Sequence, residues 1–287
     1  MGYQTLVSCA ELVDHMHDPE WVILDCRFSL TDVARGYQDY LHAHIPGAQY
    51  AHLDEDLCGP VIKGVTGRHP LPAPEEAAEV FSKWGITPGV QVVAYDDQAG
   101  ALAAVRAWWM LRWLGHTDAA ILDGGWQAWE RAGFSVRGGS ETCTRREFVA
   151  AVHPELAVST AQVELMRHDP AFRVFDSRLL ERYTGDTEPI DPVGGHIPGA
   201  YSAPFSHNLT PEGTFRSVKN LRTRFERLLE GTPAEGVVFY CGSGVTSIHN
   251  ILAMLHAGLV ESRLYVGSWS EWIADRQRPV ALGEKRG

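Results

Sequence analysis

Short runs of β-branched and other apolar residues alternate along the chain with longer segments of helical periodicity. The runs include residues 22–24, 90–95 and 119–122, and the clearest helical segment is residues 101–114. Strands that alternate with helices are typical of a parallel sheet covered by helices on both faces. The pattern therefore predicts an α/β fold.

Four sequence blocks occur twice, in the same order. They are "ILDCR" and "VFDSR", "HIPGA" twice, "VVAYD" and "VVFYC", and "GGWQAW" and "GSWSEW". The nearly constant spacing indicates a duplicated domain. We place the first domain at residues 5–137, a linker at 138–158 and the second domain at 159–282. In each domain, ligands are expected at the carboxyl ends of the strands.

Composition and charge narrow the function classes. The 287 residues are 45% apolar and 21% charged, which is typical of a globular protein. The formal net charge of −11 disfavours nucleic acid and anionic lipid as partners. No apolar stretch near the amino end reaches the length of a signal peptide or membrane helix, so a cytoplasmic protein without a membrane partner is expected. The five cysteines form no C-x-x-C pair, which argues against a structural metal site or a disulfide framework.

One cysteine lies in a distinctive loop. Cys241 follows the apolar run "GVVFY", and a helix is predicted from Ser247 to the glycine at 258. Gly242 and Gly244 can adopt positive φ and direct backbone N–H groups to one point, while Thr246 or Ser247 can cap the helix. Such a loop stabilises a thiolate or a negatively charged sulfur attached to it. The alternative is a plain buried thiol.

A phosphatase or arsenate reductase would use a similar loop. These enzymes need an arginine six residues after the cysteine to clamp the oxyanion, and that position is Ser247. The phosphatase hypothesis is therefore disfavoured.

Residues shared by both repeats have a simpler interpretation. Arg27 and Arg178 each follow an aspartate, and His44 and His196 each begin "HIPGA". A residue kept in both copies is expected to be structural rather than catalytic. The aromatic stretch at residues 108–113 has helical spacing and is predicted to lie in the core.

With these motifs the chain resembles the two-domain rhodanese-like sulfurtransferases over nearly its whole length. The resemblance implies two tandem rhodanese-like domains, of which the second carries a cysteine that becomes a persulfide. The first has lost its own, since Asp96 occupies the place of Cys241. Within the family, the loop "CGSGVT" is similar to that of 3-mercaptopyruvate sulfurtransferases, whereas thiosulfate sulfurtransferases typically have cationic residues after the cysteine.

The resemblance also implies the roles of individual residues. Ser243, His69 and Asp54 match a catalytic relay, and Arg182 matches the arginine that binds the substrate carboxylate. A second arginine of some relatives, shortly before the second "HIPGA", is absent from "TEPIDPVGG". Because Asp54 and His69 belong to the amino half, we expect the site between the domains. The remaining predicted substrate-binding residues belong to the loop: Gly242, Gly244, Val245 and Thr246.

The implied function is transfer of sulfur from 3-mercaptopyruvate through a Cys241 persulfide, with release of pyruvate and without a cofactor or metal. A thiol such as reduced thioredoxin, or cyanide, would accept the sulfur. Two alternatives stay open: a thiosulfate sulfurtransferase, and a persulfide carrier that serves a partner protein without turning over a small donor.

Overall fold

The computed structural model describes residues 2–287, which divide into two compact units. Unit 1 contains residues 2–59, Pro72–His153 and Pro211–Thr214. Unit 2 contains Pro60–Leu71, Pro154–Thr210 and Phe215–Gly287.

Unit 1 is built on a parallel sheet with the strand order β1-β5-β4-β2-β3. Its strands are β1 (Leu6–Val7), β2 (Trp21–Asp25), β3 (Gln49–Tyr50), β4 (Gln91–Tyr95) and β5 (Ala119–Leu122). Its helices are α1 (Cys9–His15), α2 (Arg35–His42), α3 (Leu53–Asp56), α4 (Pro74–Lys83), α5 (Ala103–Trp113) and α6 (Gly125–Arg131). The central strand β4 is buried along its whole length, as expected for a sheet covered on both faces.

Unit 2 repeats this plan with the parallel order β6-β10-β9-β7-β8. Its strands are β6 (Ala157–Val158), β7 (Arg173–Asp176), β8 (Tyr201–Ser202), β9 (Val237–Tyr240) and β10 (Arg263–Tyr265). Its helices are α7 (Thr160–Met166), α8 (Leu180–Thr184), α9 (Val218–Leu229), α10 (Ile248–His256) and α11 (Ser268–Trp272). The predicted α/β fold with two tandem domains is thus confirmed.

The sequence patterns located the central elements to within a few residues. The helix predicted at residues 101–114 is α5, and all of its residues are buried. The tryptophans of this helix therefore form core, as their spacing indicated. Trp109 and Trp113 stack with ring centroids 6.0 Å apart.

The segment predicted as a linker is largely attached to unit 1. Phe148 is buried and packs edge-on against Phe81 of α4, with ring centroids 5.2 Å apart. Farther along, the amide of Ala151 donates to the carbonyl of Leu114 at 2.9 Å. The segment 60–71, by contrast, lies in the first repeat of the sequence but clusters with unit 2.

The arginines common to both repeats are structural, as predicted. The Arg27 guanidinium bonds both carboxylate oxygens of Asp25 at the end of β2, and Arg178 does the same with Asp176 at the end of β7. Both pairs are buried.

The two "HIPGA" histidines are structural as well. Each is fully buried, and its Nδ1 lies 2.8 Å from a backbone carbonyl, that of Tyr40 for His44 and that of Tyr183 for His196.

No helix among residues 2–287 combines the length and the apolar character that a membrane span requires.

Candidate active site

Cys241 lies at the carboxyl end of β9, and its backbone is fixed by the start of α11. Its amide donates to Ser268 Oγ at 3.1 Å, and its carbonyl accepts from the amide of Trp269 at 3.0 Å. The Gly242 carbonyl accepts from the amide of Ser270 at 2.8 Å. These bonds hold the residue rigidly, with the side chain 3% exposed.

Gly244 shapes the loop that follows. Its φ is +76°, and a Cβ at this position would lie 2.1 Å from the Val266 carbonyl oxygen. Only glycine fits here, because both the dihedral angle and the space exclude a side chain. Gly242, the other predicted loop glycine, does not adopt positive φ.

The same loop of unit 1 holds an anion in its centre. The Asp96 carboxylate, at the position of Cys241, accepts backbone N–H bonds from Gln98 and Gly100 at 2.8 Å and from Leu102 at 3.0 Å. In unit 2, the amides at the same three offsets belong to Ser243, Val245 and Ser247. Among the described residues these three amides donate to no protein acceptor. By analogy with unit 1, these amides could bind an anionic sulfur on Cys241.

The helix start differs from the prediction in one respect. Ser247 is the N-cap of α10, but its side chain makes no capping bond, and its buried Oγ has no partner among the described residues. Its backbone is already helical, with φ −61° and ψ −26°, whereas N-cap residues that form this bond typically have an extended backbone. Val245 and Thr246 instead stabilise the start through their carbonyls, which accept from the amides of Ile248 and His249.

Two of the predicted relay residues meet in unit 2. His69 Nδ1 lies 2.7 Å from Ser243 Oγ, and both side chains are buried. Ser243 is two residues after Cys241, so the pair belongs to the loop that follows the thiol. An imidazole and a hydroxyl at this distance can pass a proton between them.

The segment 60–71, which carries His69, packs against the start of α11 through a hydrogen bond and a close backbone contact. The Arg68 amide donates to Ser270 Oγ at 3.1 Å. A Cβ on Gly67 would lie 2.5 Å from the Gly267 carbonyl oxygen, so the two backbones approach as closely as glycine permits.

Asp54, the third predicted relay residue, lies in unit 1. It is exposed in the first turn of α3, where its amide lies 3.2 Å from His52 Nδ1. Its part in the relay stays a prediction.

Arg182, the predicted carboxylate-binding residue, is already engaged by acids. Its guanidinium bonds Glu188 at 2.9 Å and Asp191 Oδ2 at 3.0 Å. Burial raises the pKa of Asp191, while Arg68 and Arg182 act in the opposite direction. The pKa of Glu188 is lowered, because the bonds from Arg182 and from backbone amides outweigh its burial.

Arg68 was missed by the sequence analysis. Its guanidinium pairs with Asp191 Oδ1, so that one carboxylate bridges Arg68 and Arg182. A Cβ on Gly242 would lie 2.8 Å from Arg68 Nη2 and 3.5 Å from Arg182 Nη2. Both cations thus border the residue after the cysteine. The only available signal was the position of Arg68 directly before His69.

The other four cysteines lie in surroundings that favour the neutral thiol. Burial raises the pKa of Cys9, Cys26 and Cys143, and it raises the pKa of Cys58 to about 11. These thiols are therefore protonated at neutral pH, whereas the thiolate is the reactive form.

Comparisons with known proteins agree with the repeat. Residues 8–132 and 159–275 match the family described as "Rhodanese-like domain". A probable 3-mercaptopyruvate sulfurtransferase of Pseudomonas aeruginosa is 45% identical, across 99% of this chain and 100% of the relative. A putative thiosulfate sulfurtransferase of Mycobacterium tuberculosis is 37% identical, across 98% of each chain.

Among solved structures, the 3-mercaptopyruvate sulfurtransferase from Leishmania major superposes with a TM-score of 0.85 at 31% identity. The match covers 96% of this chain and 76% of that one. With the family match spanning both repeats, the chain belongs to the rhodanese-like domain family.

Proposed function

We propose that the protein is a 3-mercaptopyruvate sulfurtransferase that works through a persulfide on Cys241. The observation that carries this proposal is the buried Ser243–His69 pair in the loop that follows Cys241. A donor whose leaving group is a basic enolate needs a proton at this point, whereas sulfite leaves thiosulfate without one. The name of the Pseudomonas relative supports the same donor.

In the first step the Cys241 thiolate attacks the sulfur of 3-mercaptopyruvate. A sulfur–sulfur bond forms, the carbon–sulfur bond breaks, and its electron pair remains on pyruvate as the enolate. The transferred sulfur keeps its hydrogen, so the product is a Cys241 persulfide. The loop amides of Ser243, Val245 and Ser247 stabilise this persulfide when it ionises.

In the second step the enolate takes a proton at carbon and becomes pyruvate. The Ser243 hydroxyl donates this proton and is resupplied by His69, while Arg182 holds the carboxylate of the ketoacid. The proton that the persulfide releases balances the one consumed.

In the last step an acceptor thiolate or cyanide attacks the outer sulfur, and Cys241 leaves as thiolate. A thioredoxin-type acceptor, the cytoplasmic location and the domain boundaries given above stay predictions.

The decisive experiment is to incubate the protein with 3-mercaptopyruvate and measure intact mass and peptide masses. We expect one added sulfur, located at Cys241, and none in Cys241→Ser. Sulfur on Cys58 or Cys26 would show that the site is wrong. Steady-state rates with both donors separate the alternatives: a higher kcat/KM with thiosulfate would favour a thiosulfate sulfurtransferase, and no turnover with either would favour a carrier.

A further inference from the structure

An ionic cluster borders Gly242, the residue after Cys241. Asp191 lies between Arg68 and Arg182, with one carboxylate oxygen paired to each guanidinium and its side chain 1% exposed. Glu188 bonds both Arg182 and Arg178, and Asp176 bonds Arg178. Three arginines thus face three carboxylates, and the cluster has no net charge.

Arg68 and Arg182 together could hold a doubly charged anion, since both border Gly242. Asp191 cancels one of these two positive charges at the place where they meet. Because Glu188 and Asp176 balance the other two arginines, the cluster is neutral and gives the thiosulfate dianion no Coulomb advantage over a ketoacid with a single negative charge.

We propose that Asp191 determines the charge preference for the sulfur donor, by neutralising one charge of the Arg68–Arg182 pair. The inference rests on the proposed function. It assigns Arg68 the position of the second donor-binding cation, which "TEPIDPVGG" lacks, and it makes Asp191 a positioning and specificity residue rather than a catalytic one.

The physical basis is that Coulomb energy scales with the charge of the donor. Replacing Asp191 by asparagine keeps the size of the side chain and leaves one uncompensated positive charge. A dianion gains twice what a monoanion gains from that charge. At the short distances of this cluster, we expect the thiosulfate-to-mercaptopyruvate ratio of kcat/KM to rise on the order of tenfold.

The test compares Asp191→Asn with Asp186→Asn, an identical change on an exposed residue of the same segment outside the cluster. Rates with 3-mercaptopyruvate and with thiosulfate are measured at low and at high salt. We expect the donor ratio to rise in Asp191→Asn, most strongly at low salt, and to be unchanged in Asp186→Asn. An unchanged ratio in Asp191→Asn, whether or not both rates fall, would overturn the proposal.

Arg68→Gln changes the charge of the cluster in the opposite direction. It tests the proposal by itself if Asp191→Asn does not fold. It removes a positive charge, so the donor ratio should fall. The double variant with Asp191→Asn should return the ratio toward that of the unmodified protein, which loss of structure would not do. A ratio unaffected by Arg68→Gln would contradict the inference. Persulfide formation on Cys241 of the unmodified protein tests the proposed function separately.

Discussion

At the scale of single residues, two arginines four positions apart have different environments. Arg178 is 3% exposed, and its guanidinium bonds Asp176 and the Gly195 carbonyl and lies over the Trp269 ring at 4.7 Å. Arg182 lies at the loop of Cys241, and its acids keep other partners if it is removed, since Glu188 also bonds Arg178 and Asp191 also bonds Arg68. Arg178 thus belongs to the core, whereas Arg182 borders the loop of Cys241.

Arg178→Ala should lower the free energy of unfolding by about 3 to 5 kcal/mol, because it leaves the buried Asp176 carboxylate unpaired. Arg182→Ala should instead raise KM for 3-mercaptopyruvate about ten- to a hundredfold, since it loses a charge-assisted bond to the substrate carboxylate. Denaturant titration and steady-state kinetics measure the two effects.

Arg27→Ala is the matched control, because Arg27 bonds Asp25 in unit 1 as Arg178 bonds Asp176 in unit 2. It should destabilise the protein to a similar degree. If Arg182→Ala proved the destabilising change and Arg178→Ala the one that raises KM, the assignment of the two arginines would be reversed.

A second prediction at the residue scale concerns the buried Ser243–His69 pair and its effect on turnover. Ser243→Ala and His69→Ala should each lower kcat for 3-mercaptopyruvate by roughly a hundredfold and spare thiosulfate turnover, because only the enolate needs a proton. The double variant should lose little more than either single one, as expected of residues that act together.

Asp54→Asn tests the third relay residue in the same assay, with the same donor dependence expected. Equal losses of kcat with both donors would indicate structural damage rather than loss of the proton donor.

Fully additive losses of kcat in the Ser243→Ala and His69→Ala double variant would show that these two residues act independently.

At the scale of elements, the loops after β4 and β9 have corresponding backbone amides and corresponding hydrogen bonds. In each, the carbonyl of the first residue accepts from a tryptophan amide, Trp126 for Asp96 and Trp269 for Cys241. In unit 1 the loop amides bind the carboxylate of Asp96, which is fully buried. In unit 2 the amides at the same positions donate to no acceptor among the described residues, and the proposed function assigns them to the anionic sulfur on Cys241.

The buried Asp96 carboxylate predicts a pH dependence of stability. Burial raises the pKa of Asp96 to about 6, although three backbone bonds oppose the rise. Since an unfolded aspartate has a pKa of about 3.9, the folded state binds this proton more tightly. The stabilisation is complete below about pH 4 and is lost as pH rises through 6, by up to about 3 kcal/mol.

Asp96→Asn removes this titration. Unfolding free energies of both proteins between pH 4 and 7 should therefore show the unmodified protein losing stability relative to Asp96→Asn as the pH rises. A constant difference between the two would show that the Asp96 carboxyl has the same pKa in both states.

At the scale of the whole molecule, the two units have the same fold and the same structural side-chain pairs but different residues at the end of the central strand. The strand order is the same in both sheets, and the buried Asp–Arg pair and the "HIPGA" histidine recur in each. The units differ in the number of their helices, and they differ in the residue that follows the central strand, Asp96 in unit 1 and Cys241 in unit 2. The structural pairs thus recur in both units, whereas the cysteine proposed to react belongs to unit 2 alone.

The sequence by itself determined the fold class, the repeat and the cysteine loop. Apolar periodicity and turn glycines act over a few residues, so the strand ends and Gly244 could be predicted from neighbours alone. The residues common to both copies were recognised as structural for the same reason, because two copies of one pattern provide an internal comparison.

Only the tertiary structure decided the surroundings of Cys241. Arg68 and Asp191 are 123 positions apart, and neither belongs to a repeated motif or a periodic segment. Their pairing depends on the segment 60–71 packing with unit 2 through the close approach of Gly67 to Gly267. Charge attraction between side chains that distant in sequence acts only after packing has brought them together, so no local pattern records it.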